Sequence, residues 1–142
     1  MNANRIILTL IFATSCMLAP RAALAQARTV FDGRPSVKIS EGGIERTPEA
    51  LTVAQAGNLH CIISEIGGQF YWASRGNVLV AVVDSGAFTT YIAANGSGYV
   101  RVIKRADKAA AALMSGTEAA FDYVEHLTIG LRTITYFGRR AG

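Results

Sequence analysis

From residue 60 to residue 103, short apolar runs alternate with turn residues at an even spacing. Residues 60–66 run into Gly67-Gly68, residues 69–74 into Arg75-Gly76-Asn77, and residues 78–84 into Ser85-Gly86. Residues 87–93 run into Asn95-Gly96-Ser97-Gly98, and residues 99–103 close the series. Five β-rich segments joined by such short turns predict an antiparallel meander. Parallel crossovers are excluded, because they need about a dozen residues or more. Leu79-Val80-Ala81-Val82-Val83 is apolar throughout, which predicts a central strand covered on both faces.

The flanks read differently. Residues 36–40 alternate enough for a short strand, with Val37 and Ile39 on one face, and Gly42-Gly43 marks a turn. Thr47-Pro48-Glu49 combines a capping hydroxyl, a proline at the first helical position and an acid in the first turn. It predicts a short helix running through Leu51 to Gln55 and stopped by Gly57-Asn58, with a strand as the alternative. Residues 106–114 are rich in alanine, the best helix former. Ser115-Gly116-Thr117-Glu118 has the spacing of a capping box. Beyond it Ala120, Val124, Leu127 and Leu131 repeat at helical spacing, flanked by Phe121 and Thr128. Residues 134–137 form a candidate last strand ended by Gly138. The predicted fold class is α+β: an antiparallel β-meander sheet of about five strands, with one or two C-terminal helices packed on one face.

The first 25 residues change the picture of the chain as a whole. One positive charge in residues 1–5, an apolar stretch over residues 6–18, Pro20, and the small residues of Ala23-Leu24-Ala25 make a cleavable secretory signal, cut between Ala25 and Gln26. The apolar run is shorter than the roughly 20 residues a membrane span requires. A competing route is lipidation at Cys16, in Ala13-Thr14-Ser15-Cys16, which would make the protein an envelope lipoprotein. Residues 26–142 then form one domain in a periplasmic or secreted protein, with no transmembrane segment in the mature chain. Removing Arg5 and Arg21 with the signal lowers the formal net charge from +4 to about +2. No basic stripe remains to argue for nucleic acid. Cys61 is the one cysteine left, so an internal disulfide is impossible, and its apolar neighbours predict a buried thiol.

Candidate chemistry is sparse. A thiol-dependent hydrolase would use Cys61, but His60 beside it points to the opposite face of a strand. His126 would then have to serve as base, with Asp84 or Asn58 orienting it. Asp84-Ser85-Gly86 and Gly96-Ser97-Gly98 lack the full Gly-x-Ser-x-Gly elbow, and turn geometry explains them. His60 and His126 show no metal-ligand spacing, and no glycine-rich phosphate loop precedes a helix. No cofactor, metal or catalytic residue is expected.

The positive signal is for binding. In Gln69-Phe70-Tyr71-Trp72, Phe70 and Trp72 share one face. In Tyr99-Val100-Arg101-Val102, inward valines leave Tyr99 and Arg101 outward. Trp, Tyr and Arg are the residue types enriched at binding hot spots, and Arg75 and Asn77 sit at an adjacent turn. Trp72, Arg75, Asn77, Tyr99 and Arg101 are therefore the candidate site. Periplasmic lysozyme inhibitors are also small exported β-rich proteins, and present a Ser-Gly-x-x-Tyr loop. Here Ser85-Gly86 precedes Tyr91, and Ser97-Gly98 runs directly into Tyr99. Neither spacing matches, so no functional residue is carried over. The expected function is that of a small exported, non-catalytic protein that binds another protein or an envelope polymer.

Overall fold

The computed structural model describes residues 26–42, 45–104 and 121–141. The elements are β1 (Arg28–Gly42), β2 (Glu45–Ala50), α1 (Val53–Asn58), β3 (Cys61–Ile66), β4 (Gln69–Trp72), a 3-10 turn (Ala73–Arg75), β5 (Val78–Ser85), β6 (Phe88–Ala93), β7 (Gly98–Ile103), β8 (Tyr123–Ile129) and β9 (Arg132–Arg140). The meander expected over residues 60–103 is present as β3 to β7, all antiparallel. It does not stop as an open sheet. β8 and β9 extend it, and β9 pairs with β1, closing an eight-stranded antiparallel barrel.

β1 makes the closure possible. Its first part pairs with β3 and its second part with β2, while β9 runs along the other edge from Gly33 to Gly42. Two bulges, between Thr29 and Phe31 and between Pro35 and Val37, bend this 15-residue strand so that it can serve all three partners. The seam is packed by Tyr123, whose ring meets Phe31 edge-to-face at 5.1 Å between centroids. A Cβ at Gly33 or at Gly138 would lie 2.6 Å from Tyr123 Cε1, so only glycine admits that ring at the seam.

Three sequence expectations are corrected here. The fold is not α+β. The stretch read as a C-terminal helix is the strand β8 and its hairpin to β9, joined by Gly130 and Leu131. Tyr123-Val124-Glu125-His126-Leu127-Thr128-Ile129 is dense in β-branched and aromatic residues, which fit a pleated surface. Gly130 supplies the positive φ of 59° that the two-residue turn requires. The apparent helical stripe mixes two faces of a strand, since Tyr123, Glu125 and Leu127 point in while Val124 and His126 point out. Leu131, counted in that stripe, is fully exposed at the turn. The helix expected over residues 106–114 and the capping box after it lie outside the described residues, as do the signal segment and Cys16.

Residues 45–50 likewise form β2, not the first turn of a helix. Lys38 pairs with Glu49 at 2.7 Å and Glu41 with Arg46 at 3.0 Å across the β1–β2 pairing. Pro48 is tolerated because β2 is an edge strand. The helix starts five residues later. Thr52 caps it, with Thr52 Oγ1 accepting from the Gln55 N–H and Gln55 Oε1 accepting from the Thr52 N–H, a reciprocal capping box.

The core fills the barrel: Phe31, Cys61, Ile63, Trp72, Val80, Tyr91, Ala93, Val100, Val102 and Tyr123 form one buried cluster. Strand β5 departs from expectation. Val80 alone in it is buried, and Leu79, Val82 and Val83 are exposed, Val83 by 50%. Leu79 and Val83 point outward, where no layer lies over β5 among the described residues, whereas Val82 shares the inward side with Val80 and is exposed toward the Ser85 end of the strand.

Candidate functional site

The barrel wall separates the predicted site residues into two groups. Trp72, at the end of β4, points inward and is wholly buried. Arg75, on the 3-10 turn, also reaches inward, where its Nη2 lies 2.6 Å from Oε1 of the fully buried Glu125. Neither belongs to a surface site. Asn77 sits exposed in the turn after Gly76 with a φ of 55°, a conformation asparagine tolerates better than most residues. Tyr99 and Arg101 do face outward on β7.

The interior group is a polar cluster in an otherwise apolar barrel. Glu125 projects from the middle of β8, opposite Val100 on one side and Tyr136 on the other. Burial pushes its carboxyl up to about 7, even though the neighbouring Arg75 guanidinium and the Cys61 thiol favour the charged form. Arg75 is a charge partner here and not a well-aimed donor: neither Glu125 oxygen receives a hydrogen bond of good geometry among the described residues. The guanidinium is steadied by the Ser74 carbonyl, to which Nη1 donates at 3.0 Å, and by the Tyr136 ring 5.8 Å away. Trp72 Nε1 and Tyr123 Oη are also buried, with no hydrogen bond of good geometry among the described residues. Burial raises the Tyr123 phenol well above its ordinary range.

Cys61 belongs to this cluster. Its side chain is fully buried, and burial followed by the adjacent Glu125 charge raises its thiol well above the ordinary value. A nucleophilic cysteine needs the reverse, an accessible thiolate. The histidine proposed as its base is on the other side of the wall. His126 faces outward, where its Nδ1 lies 3.2 Å from Thr135 Oγ1. His60 is engaged elsewhere, accepting a hydrogen bond at Nε2 from Arg34 Nε at 2.9 Å. Among the described residues, no three His, Cys, Asp or Glu side chains converge as metal ligands, and no helix is long and apolar enough to cross a membrane.

The outward group forms a continuous ladder across three strands. Tyr99 on β7 stacks on His126 of β8, with ring centroids 5.2 Å apart and planes 9° from parallel. The Arg101 guanidinium lies over Tyr99 at 5.7 Å and over Phe88 of β6 at 5.2 Å. The registers place these residues in rows: Ala81, Ile92, Tyr99 and His126 lie side by side, and Val83, Thr90 and Arg101 form the next row. Ile92, Leu79 and Val83 are exposed, so the aromatic ladder continues into an apolar surface on β5 and β6.

Sequence reasoning found Tyr99 and Arg101 through strand alternation. It missed Phe88 and His126, which join them only through the registers of β6 and β8. It also missed Glu125, because a helical reading places that side chain in solvent. No family model, curated protein or solved structure matches the chain.

Proposed function

We propose that this is an exported, non-catalytic binding protein whose outer β5–β8 face docks another protein. The observation that carries the reading is the prearranged ladder of Phe88, Arg101, Tyr99 and His126 beside exposed Leu79, Val83 and Ile92. Its side chains are held by one another on a rigid sheet, so little conformational entropy remains to be lost on docking. Arg101 pairs with no carboxylate among the described residues. The matching partner surface is apolar or aromatic at its centre, with a carboxylate to meet Arg101. An unpaired apolar surface favours a protein partner over a hydrated envelope polymer. Export rests on the N-terminal signal pattern.

A cross-linked pull-down from the cell envelope tests this, with tagged protein carrying its own signal and a Tyr99→Ala/Arg101→Ala variant as control. The expected result is a partner protein captured by the wild type and lost in the variant. Equal capture by both, or capture of a polymer alone, refutes it. Thiol-dependent hydrolysis finds no support in a buried, protonated Cys61. A thiol probe that labels the native protein at this residue would revive it.

A further inference from the structure

On the far side of the barrel from that face, a cleft of about 330 Å³ opens where α1 lies against β1, lined by Arg34, Pro35, Ser36, Leu51, Val53, Ala56 and Arg139. We propose that this cleft binds a small anion carrying a short apolar chain, with its acidic head held between Arg34 and Arg139 and its chain against Leu51, Val53 and Ala56.

The two arginines are directly opposite each other in the β1–β9 ladder. Like charges in that position repel. Arg28, Lys38, Arg46, Arg75 and Lys104 each face a carboxylate, whereas Arg34 and Arg139 face none among the described residues. The bond from Arg34 Nε to His60 Nε2 fixes the plane of the guanidinium and leaves its two terminal nitrogens to reach outward. Two such forks side by side match the oxygens of a carboxylate or a phosphate.

The other wall is apolar. Val53 is 89% exposed at the cleft rim, a β-branched hydrocarbon left in water at the first position of a short helix. Leu51 is fixed behind it by the bond from its N–H to the Ser36 carbonyl at 2.8 Å. The volume lies at the lower end of the roughly 300–1,000 Å³ of small-molecule sites, which selects a short chain.

Titration calorimetry on the full mature chain tests the proposal, using octanoate and octyl phosphate as probes, with octyl glucoside and inorganic phosphate as controls. Saturable binding of at least one octyl anion is expected, at least tenfold tighter than either control. The tighter of the two heads identifies the acid as a carboxylate or a phosphate. Arg34→Gln/Arg139→Gln should weaken binding at least tenfold while the melting temperature stays level or rises, because the variant also removes the repulsion. Absence of saturable binding, equal binding of octyl glucoside, equal binding of inorganic phosphate, or unchanged affinity in the double variant would each overturn it.

Discussion

Arg75 and Arg101 lie on opposite sides of one barrel wall, and each is set against an aromatic ring. Arg75 reaches inward to Tyr136 and the buried Glu125, and Arg101 spreads outward over Phe88 and Tyr99. The residue type and the aromatic setting are the same, but the consequences differ. Inside, the charge is needed because a carboxylate is buried beside it, and removing either partner alone leaves a buried charge uncompensated. Outside, Arg101 is half-buried and faces no carboxylate among the described residues, so the fold asks less of it and its donors can serve a partner. The side of the wall decides whether an arginine is a structural obligation or an interaction handle.

The largest expected effect is on the inner side. Arg75→Leu strands the Glu125 carboxylate without a counter-charge, and breaking a buried pair in this way costs about 3–5 kcal/mol. Chemical denaturation at pH 8 should show that loss. Adding Glu125→Gln to Arg75→Leu should recover much of it, because no buried charge is then left. If the single variant is as stable as the wild type at pH 8, the pair does not have the structural role assigned to it.

The pH dependence of the wild type comes next. The Glu125 carboxyl is raised from an ordinary value of 4.5 to about 7 in the folded protein. Between those values the folded state holds a proton that the unfolded chain has released, so stability falls as pH rises from about 4.5 to about 7. Across that interval the loss attributable to this carboxyl is about 3 kcal/mol. Urea midpoints of wild type and Glu125→Gln, measured from pH 4 to pH 8, should differ in slope, with the decline near neutrality much reduced in the variant. Parallel profiles would place the titration elsewhere.

The same division explains what can be read from the chain. Residues 60–103 show their turns openly, and period-two alternation puts Tyr99 and Arg101 outside correctly. Closure of the sheet is not a local property. It depends on bulges in β1 and on Gly33 and Gly138 making room for Tyr123, which are contacts between residues about 100 positions apart. Through β8 and into its turn, Val124, Leu127 and Leu131 satisfy a helical spacing by coincidence. The strand preference of Tyr123, Val124, Thr128 and Ile129 is the competing signal, and cross-strand pairing on both edges lets it prevail. With β8 read as a helix, Glu125 becomes a surface acid and the interior cluster disappears from view. A strand pattern gives alternation but not which face is inside, and so it puts Trp72 and Arg75 near the binding surface.

The smallest stability effect belongs to the outer side, and it sharpens the contrast most. Tyr99→Ala with Arg101→Ala removes the stack on His126 and both cation–π contacts, while leaving the inward Val100 and Val102 in place. Cross-strand pairs of this kind contribute about 0.2–1 kcal/mol each, and partly exposed cation–π contacts about 0.5–1 kcal/mol. The double variant should therefore lose no more than about 3 kcal/mol, at most the lower end of the range for Arg75→Leu alone, and should keep the pH profile of the wild type. A loss matching that of the inner arginine would mean that the ladder holds the barrel together. The binding role given to that face would then lose its main support, since a surface kept for a partner should be dispensable to the fold.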